Sequence, residues 1–229
     1  MKRFFIGICR AVLILFLCAI HMVSVKADTS TDFDLISTDK FWRKLYPGGG
    51  WSLYCGYKFS IEKKTPDGLL VGIEHIFPTA RMTKHAACKN RMQCRESANK
   101  KFIRMEADLH NMYPVSQSVI TYRNNSKFGL ITGEDWRFND CDLEWKAGVF
   151  EPRQIARGNI ARAMLYMHTY YNIPFNKREL VLFKVWNKID PPSKQESTRN
   201  DLIERLQGNR NPYIDKPGLA ERQKLTLLK

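Results

Sequence analysis

The longest apolar segment of the chain lies at its N-terminus. Ala11 to Val23 is apolar except for His21, and three basic residues precede it. This run of 13 residues is shorter than the roughly 20 that a membrane-spanning helix needs, which favours a signal peptide over a transmembrane anchor. Small residues at Val25 and Ala27 suit a signal peptidase, so we expect a signal peptide over residues 1–27, cleaved after Ala27.

The next part of the chain carries short strand patterns. Trp51 to Ser60 alternates well enough to predict a strand, and Leu69 to Ile73 predicts a second one after a Pro-Asp-Gly turn signal. Residues 81–101 are polar and basic and show no clear period, which predicts a long ordered loop.

The last third of the chain has helical periodicity. Arg157 to Tyr171 places apolar residues on one face at spacings of three and four. A capping-box pattern at Asn176 predicts a second helix that continues to Trp186. A third helix is predicted to begin at Thr198 and to end at Gly208.

Strand patterns followed by helical ones indicate the α+β class rather than an alternating parallel-sheet protein. No linker, repeat or low-complexity stretch divides residues 28–229, and that length fits a single domain. After signal cleavage we expect no stable membrane association, because no later segment is apolar for long enough to cross a bilayer. We also expect the mature protein to be a monomer.

The composition adds a strongly basic balance. The chain has 37 Lys and Arg residues against 23 Asp and Glu, a formal charge of +14. Removing residues 1–27 takes away four basic side chains and no acidic one, which leaves +10 on 202 residues. Such a charge indicates a polyanionic partner: nucleic acid, phospholipid headgroups or acidic polysaccharide.

Four cysteines remain after the predicted cleavage: Cys55, Cys88, Cys94 and Cys141. An even number in an exported chain favours two disulfides, and four cysteines allow three pairings. The simplest pairing joins Cys88 to Cys94 and leaves Cys55 with Cys141. The alternative is a zinc site that combines Cys88 and Cys94 with His85 and His110, although this spacing matches no common zinc pattern.

Several polar stretches have the residue types of catalytic sites. Glu74-His75 stands at a predicted strand end, where neighbouring side chains point to opposite sides and can reach different atoms of one substrate. A structural histidine is the more common explanation of such a dipeptide. Arg157 and Arg162 begin a predicted helix, where they can bind phosphates or form ordinary surface charge.

Taken in order, these stretches resemble the endonuclease I family of secreted and periplasmic nonspecific nucleases of Gram-negative bacteria. The resemblance runs from about Phe41 to Asp215. The matching stretches are Leu53 to Gly56, Glu74-His75 followed by Pro78, Met105 to Pro114, Arg157 to Met167, Trp186 to Lys188 and Gln207 to Pro212.

The resemblance implies a ββα-metal (His-Me finger) nuclease core that holds one divalent ion, usually Mg²⁺, at the scissile phosphate. It implies that His75 is the general base toward the attacking water, that Glu74 is a metal ligand, and that Arg91 holds the phosphate. The implied substrates are DNA and also RNA, cut to 5′-phosphate ends. Three further arginines are candidate substrate contacts: Arg123, Arg157 and Arg162.

The chain departs from the family pattern at one position. The family has a metal-binding asparagine three residues before the arginine that matches Arg123, and this chain has Ile120 there. An isoleucine cannot coordinate a cation. Either Asn124 or Asn125 supplies the ligand, or metal binding is weaker, or the chain is a catalytically weak or inactive nucleic-acid-binding relative. A secreted protein that binds acidic polysaccharide or lipid is the alternative from another functional class.

Overall fold

The structure, a computed structural model, describes residues 33–136, 138 and 140–224. The predicted signal peptide, residues 1–27, lies outside them. Within the described ranges, no helix has the length and apolar character needed to cross a membrane.

The described residues form small strands and short to medium helices. The strands are β1 (Gly50–Trp51), β2 (Lys58–Phe59), β3 (Val71–His75), β4 (Met112–Ser116), β5 (Lys127–Phe128), β6 (Leu143–Lys146) and β7 (Val149–Pro152). The α-helices are α1 (Phe33–Leu35), α2 (Thr79–His85), α3 (Arg91–Glu96), α4 (Lys100–Glu106), α5 (Gln117–Arg123), α6 (Arg157–Tyr170), α7 (Lys177–Ile189), α8 (Lys194–Gln207) and α9 (Pro212–Asp215). A π-helical segment (Ile36–Leu45) continues α1, and 3₁₀ turns cover Leu109–Asn111, Gln154–Ala156 and Pro217–Arg222.

The strands pair into three separate small sheets. β1 pairs with β2 and β3 with β4, both antiparallel, while β7 lies between β5 and β6, parallel to β5 and antiparallel to β6. In the β3–β4 pair Val71 is opposite Ser116 and His75 is opposite Met112. Helix α5 follows β4 directly. The mixture confirms the predicted α+β class.

Helix α6 is the centre of the hydrophobic core. Ten of its 14 residues are buried, whereas a surface helix buries one stripe. Its neighbours in the core come from α7 and from the β5–β7–β6 sheet, including Phe183, Trp186 and Phe150. The predicted helix over residues 157–171 is therefore present, but more of its surface is buried than the single apolar face that the sequence indicated.

The predicted strand over Trp51–Ser60 is wrong as a single element. It is two two-residue strands joined by a turn in which Gly56 has φ +70°. A side chain at Gly56 would also collide with the Arg153 guanidinium, so the turn requires glycine. The strand predicted over Leu69–Ile73 lies two residues later, as β3.

The predicted loop over residues 81–101 is also wrong, because most of it is helical. The side chains of Asn90 and Asn99 cap α3 and α4 by accepting hydrogen bonds from backbone N–H groups. Helices of six or seven residues are too short to show a 3.6-residue period. Instead, each helix is held by side chains that it buries in the core, among them Met82 of α2, Cys94 of α3 and Phe102 of α4.

Capping residues determine where the helices α7 and α8 begin and end. Asn176 and Glu179 form the predicted capping box of α7. Helix α8 begins at Lys194, four residues before the predicted start, because Ser193 forms a second capping box with Glu196. It ends as predicted at Gly208, which has the left-handed φ of +88°.

Two disulfides are present among the described residues, with the expected pairing. Cys55 joins Cys141 and Cys88 joins Cys94. The zinc alternative is excluded, since both of its thiols are oxidised. The Cys55–Cys141 bond ties the β1–β2 turn to the residues that enter β6.

Candidate active site

A cleft of about 410 Å³ opens beside the end of the β3–β4 pair. It brings together residues that are distant in the sequence, from β3, α3 and α5. Its lining includes Glu74, His75, Lys89, Arg91, Ile120, Arg123, Asn124 and Asn125. Most of the predicted site residues therefore share one concave surface.

Glu74 is held on the cleft wall by two hydrogen bonds. The Tyr54 hydroxyl and Nη1 of Arg123 both donate to its Oε1, at 3.1 and 2.7 Å, and neither contact uses Oε2. Burial raises the pKa of the Glu74 carboxyl, while Arg123 and Tyr54 oppose that shift. The two donors also fix the orientation of the carboxylate.

His75 has a defined tautomer. Its Nε2 lies 2.7 Å from the backbone carbonyl oxygen of Glu106. A carbonyl only accepts, so Nε2 carries the proton and Nδ1 of the neutral ring keeps its lone pair. Burial lowers the pKa of His75 to about 4, and the neighbouring Arg91 acts in the same direction. At neutral pH the ring is thus an uncharged proton acceptor.

Glu106 connects His75 to Arg91 and Arg95, and nothing in the sequence of residues 105–114 distinguished it from the other polar residues there. Its backbone carbonyl holds His75, while Nε of Arg91 and Nε of Arg95 donate to its carboxylate oxygens at 2.5 and 2.8 Å. The Arg91 side chain remains 44% exposed. Its Nη groups are therefore accessible at the cleft.

Phe33 covers one side of His75. The two ring centroids are 5.4 Å apart, and the Arg91 and Arg95 guanidinium groups lie 5.0 and 5.1 Å from the Phe33 ring centre. No sequence pattern indicated this contact, because Phe33 and His75 are 42 positions apart in the chain. It adds an apolar surface beside the imidazole.

Comparison with known proteins identifies the family of this chain. The Endonuclease I family model matches residues 22–218 of the chain. The chain belongs to the Endonuclease I family. This confirms the expected family and the expected enzyme class, a nuclease.

Individual relatives from this family are similar over most of the chain. Endonuclease-1 of Buchnera aphidicola subsp. Acyrthosiphon pisum is 34% identical over 167 residues, which cover 71% of this chain and 65% of that protein. An extracellular deoxyribonuclease of Aeromonas hydrophila is 31% identical over 225 residues, which cover 89% and 97%. A periplasmic deoxyribonuclease of the same organism is 32% identical over 195 residues, which cover 76% and 81%.

The predicted substrate contact Arg123 of this Endonuclease I chain lies on the wall of the cleft. Its side chain is only 2% exposed. Besides pairing with Glu74, it donates to the backbone carbonyls of His75 and Ile76 at 3.2 and 2.9 Å. It thereby holds the end of β3 in place.

The structure places the predicted substrate contacts Arg157 and Arg162 on α6, outside the lining of the cleft. The buried Arg162 guanidinium donates to both carboxylate oxygens of Glu196, at 2.8 and 2.5 Å, and joins α6 to α8. Arg157 donates to Glu151 at 2.6 Å and does not line the cleft. Because α6 is the core helix, its arginines are directed toward buried carboxylates instead of solvent.

Ile120 lines the cleft, at the position where the sequence resemblance implies a metal-binding asparagine. Asn124 and Asn125 line the same cleft at the end of α5, and Nδ2 of Asn125 donates to Oδ1 of Asn124 at 3.2 Å. The donors available are thus a carboxylate oxygen of Glu74 and amide oxygens. These hard ligands fit Mg²⁺, which retains several waters and needs few protein ligands.

Proposed function

We propose that the mature chain is an exported endonuclease that hydrolyses phosphodiester bonds of DNA, and also of RNA, with little sequence preference. The observation that carries this proposal is the proton-accepting Nδ1 of His75 in one cleft with Glu74 and Arg91. The relatives named as extracellular and periplasmic deoxyribonucleases support both the substrate class and a secreted or periplasmic location.

His75 acts as the general base toward water. Its Nε2 stays bonded to the Glu106 carbonyl, so the ring keeps its orientation while Nδ1 takes the proton. The bound phosphate also helps, because its negative charge offsets Arg91 and Arg95 and favours the protonated ring.

Arg91 binds the scissile phosphate. Glu106 fixes its Nε, and the exposed Nη groups donate to phosphate oxygens. These contacts read phosphate and not bases, which is consistent with cleavage that has little sequence preference. The positive charge of the mature chain adds sequence-independent attraction to the polyanion.

Glu74 is the proposed ligand of one Mg²⁺ ion, together with an amide oxygen of Asn124 or Asn125. Attack of water on phosphorus breaks the P–O3′ bond, which leaves the phosphate on the 5′ end and a 3′-hydroxyl whose proton comes from solvent. When bound, such an ion would offset the negative charge that develops on the phosphate and on the leaving 3′-oxygen. Arg123 and Tyr54 fix the orientation of the Glu74 carboxylate, since both bind Oε1.

A second candidate function is a nucleic-acid-binding relative with weak or no catalysis. Ile120 favours it, because the side chain that replaces the family asparagine contributes no oxygen to the cleft. The fold and the charge would be retained while metal affinity falls.

Digestion of supercoiled plasmid and of single-stranded RNA by residues 28–229 separates the two candidates. With Mg²⁺ the nuclease proposal predicts degradation that EDTA abolishes, and fragments that a ligase accepts without prior phosphorylation, because their 5′ ends carry phosphate. Gel retardation without cleavage at any Mg²⁺ concentration would contradict it and support the binding protein.

A further inference from the structure

A second group of acidic side chains lies on the β5–β7–β6 sheet, away from the cleft. Glu134, Asp142 and Glu144 each offer a carboxylate oxygen, and these oxygens all lie within 4.8 Å of one another. Glu144 is on β6, and Asp142 follows the disulfide-bonded Cys141. None of the three lines the cleft described above.

Glu144 is buried, and it forms no ion pair with a described cationic side chain. It is 3% exposed, and its Oε1 has no hydrogen-bond donor among residues 33–136, 138 and 140–224. On the neighbouring strand it is directly opposite Glu151, and like charges opposite each other destabilise a sheet. Arg157 neutralises Glu151, but no described Lys, Arg or His side chain forms an ion pair with Glu144.

The Arg153 guanidinium lies near the rest of the cluster and interacts electrostatically with Asp142. Across residues 33–136, 138 and 140–224 no cationic side chain forms an ion pair with Glu134 or Asp142. The indole Nε1 of Trp136 donates to Oε2 of Glu134 at 3.1 Å. Carboxylates this close together repel one another, and the burial of Glu144 adds a desolvation cost, so a shared cation would stabilise the cluster.

We propose that Glu134, Asp142 and Glu144 bind a Ca²⁺ ion. Oxygens that share one Ca²⁺ lie about 2.3–2.6 Å from it and so at most about 5 Å from one another. The observed separation of up to 4.8 Å fits that limit. The flexible geometry of Ca²⁺ suits ligands drawn from a loop and a strand better than the strict octahedron of Mg²⁺.

The role of this ion is structural. It connects the loop that carries Glu134 to the strand that carries Glu144, beside the Cys55–Cys141 disulfide. An exported protein meets Ca²⁺ concentrations that populate sites with Kd of about 10⁻⁴–10⁻³ M. The inference is independent of the proposed nuclease activity, because its ligands are separate from Glu74, His75 and Arg91.

The test is thermal unfolding of the mature chain, freed of metal with chelator and titrated with CaCl₂. We expect a saturable rise in Tm, because an ion that binds only the folded state stabilises it. Isothermal titration of Ca²⁺ should give one class of sites at the same concentrations. Absence of a saturable rise would overturn the proposal.

Variants assign the effect to the cluster. Glu144→Gln should abolish the Ca²⁺-dependent rise in Tm, and in chelator it should unfold no lower than wild type because an uncompensated charge is gone. Glu134→Gln, at an exposed position, should reduce the Ca²⁺ affinity at least tenfold without affecting folding, and it decides the question where Glu144→Gln fails to fold.

Two controls separate this site from other carboxylates. Asp201→Asn removes a carboxylate that Arg210 already neutralises at 2.8 Å, and it should leave the Ca²⁺ response unchanged. Glu74→Gln removes the proposed ligand in the cleft and should also leave it unchanged. A response that is lost in Glu74→Gln and kept in Glu134→Gln would place the ion in the cleft and refute the cluster.

Discussion

Two arginine–glutamate pairs of this protein have the same 2.5 Å contact and opposite surroundings. In the cleft, the Arg91 side chain is 44% exposed, whereas its partner Glu106 is buried. In the core, Arg162 and Glu196 are 1% and 4% exposed. The first arrangement fixes one nitrogen of a guanidinium and leaves the others for a ligand. The second uses the whole guanidinium inside the fold, so accessibility separates an arginine that can bind a ligand from a structural one.

The largest expected effect comes from breaking the core pair. Arg162→Ala leaves Glu196 buried without its partner, which should lower the free energy of unfolding by about 3–5 kcal/mol. Urea unfolding measures it. If Arg162→Ala is as stable as wild type and has lost DNA binding instead, Arg162 is not the structural arginine that this comparison requires.

The second prediction concerns the cleft pair. Arg91→Ala should reduce kcat/KM for DNA cleavage by about 10- to 150-fold, the equivalent of the 1.5–3 kcal/mol of a hydrogen bond to a charged group. Its unfolding free energy should change by less than about 1 kcal/mol, because the pair is partly exposed. Arg104→Ala, on the neighbouring helix and outside the cleft, is the matched control for loss of positive charge. Equal losses of activity in the two variants would argue against a specific phosphate contact.

A third prediction uses a buried histidine of the core. His110 is 1% exposed, and burial lowers its pKa to about 4. Since the unfolded chain takes up the proton near pH 6.5 and the folded chain does not, His110 lowers stability as pH falls from about 7 toward 4. Its contribution is about 2 kcal/mol at pH 5.

The measurement is urea unfolding of wild type and His110→Gln at pH 7.5 and pH 5. The variant should lose about 2 kcal/mol less on acidification than wild type. Parallel losses in the two proteins would show that His110 is not the group that titrates.

The smallest expected effect concerns Mg²⁺ binding at position 120 of the cleft. Ile120→Asn should lower the Mg²⁺ concentration for half-maximal cleavage about tenfold, or about 1.4 kcal/mol, because it adds an oxygen donor. Ile120→Ala removes the same apolar contacts without adding a ligand and is the matched control. If both variants respond alike to Mg²⁺, position 120 does not take part in metal binding.

The sequence predicted elements that carry their own local signals. The capping box at Asn176 and the left-handed Gly208 identify helix ends because a few neighbouring residues satisfy the backbone there. The short helices over residues 79–106 were missed, because their stability comes from tertiary burial and not from an internal period. The start of α8 was missed although Ser193 and Glu196 carry the same capping signal as α7.

The candidate site was partly predictable for a similar reason. The resemblance placed His75, Glu74 and Arg91 together, and the cleft contains all three. It could not tell exposed arginines from buried ones, because Arg162 and Arg91 differ only in what the fold packs around them. Glu106 and Phe33 reach His75 through contacts between distant parts of the chain, which no spacing in the sequence encodes.

The most direct test of the account is cleavage and binding of DNA by His75→Ala beside His85→Ala. His85 lies outside the cleft at the end of α2, so its substitution controls for the loss of an imidazole. We predict that His75→Ala loses at least about 100-fold in Mg²⁺-dependent cleavage, within the range of general-base catalysis, and binds DNA as wild type does. His85→Ala should cleave normally. Cleavage retained in His75→Ala would contradict the assignment of His75 as the base and with it the proposed function of the cleft.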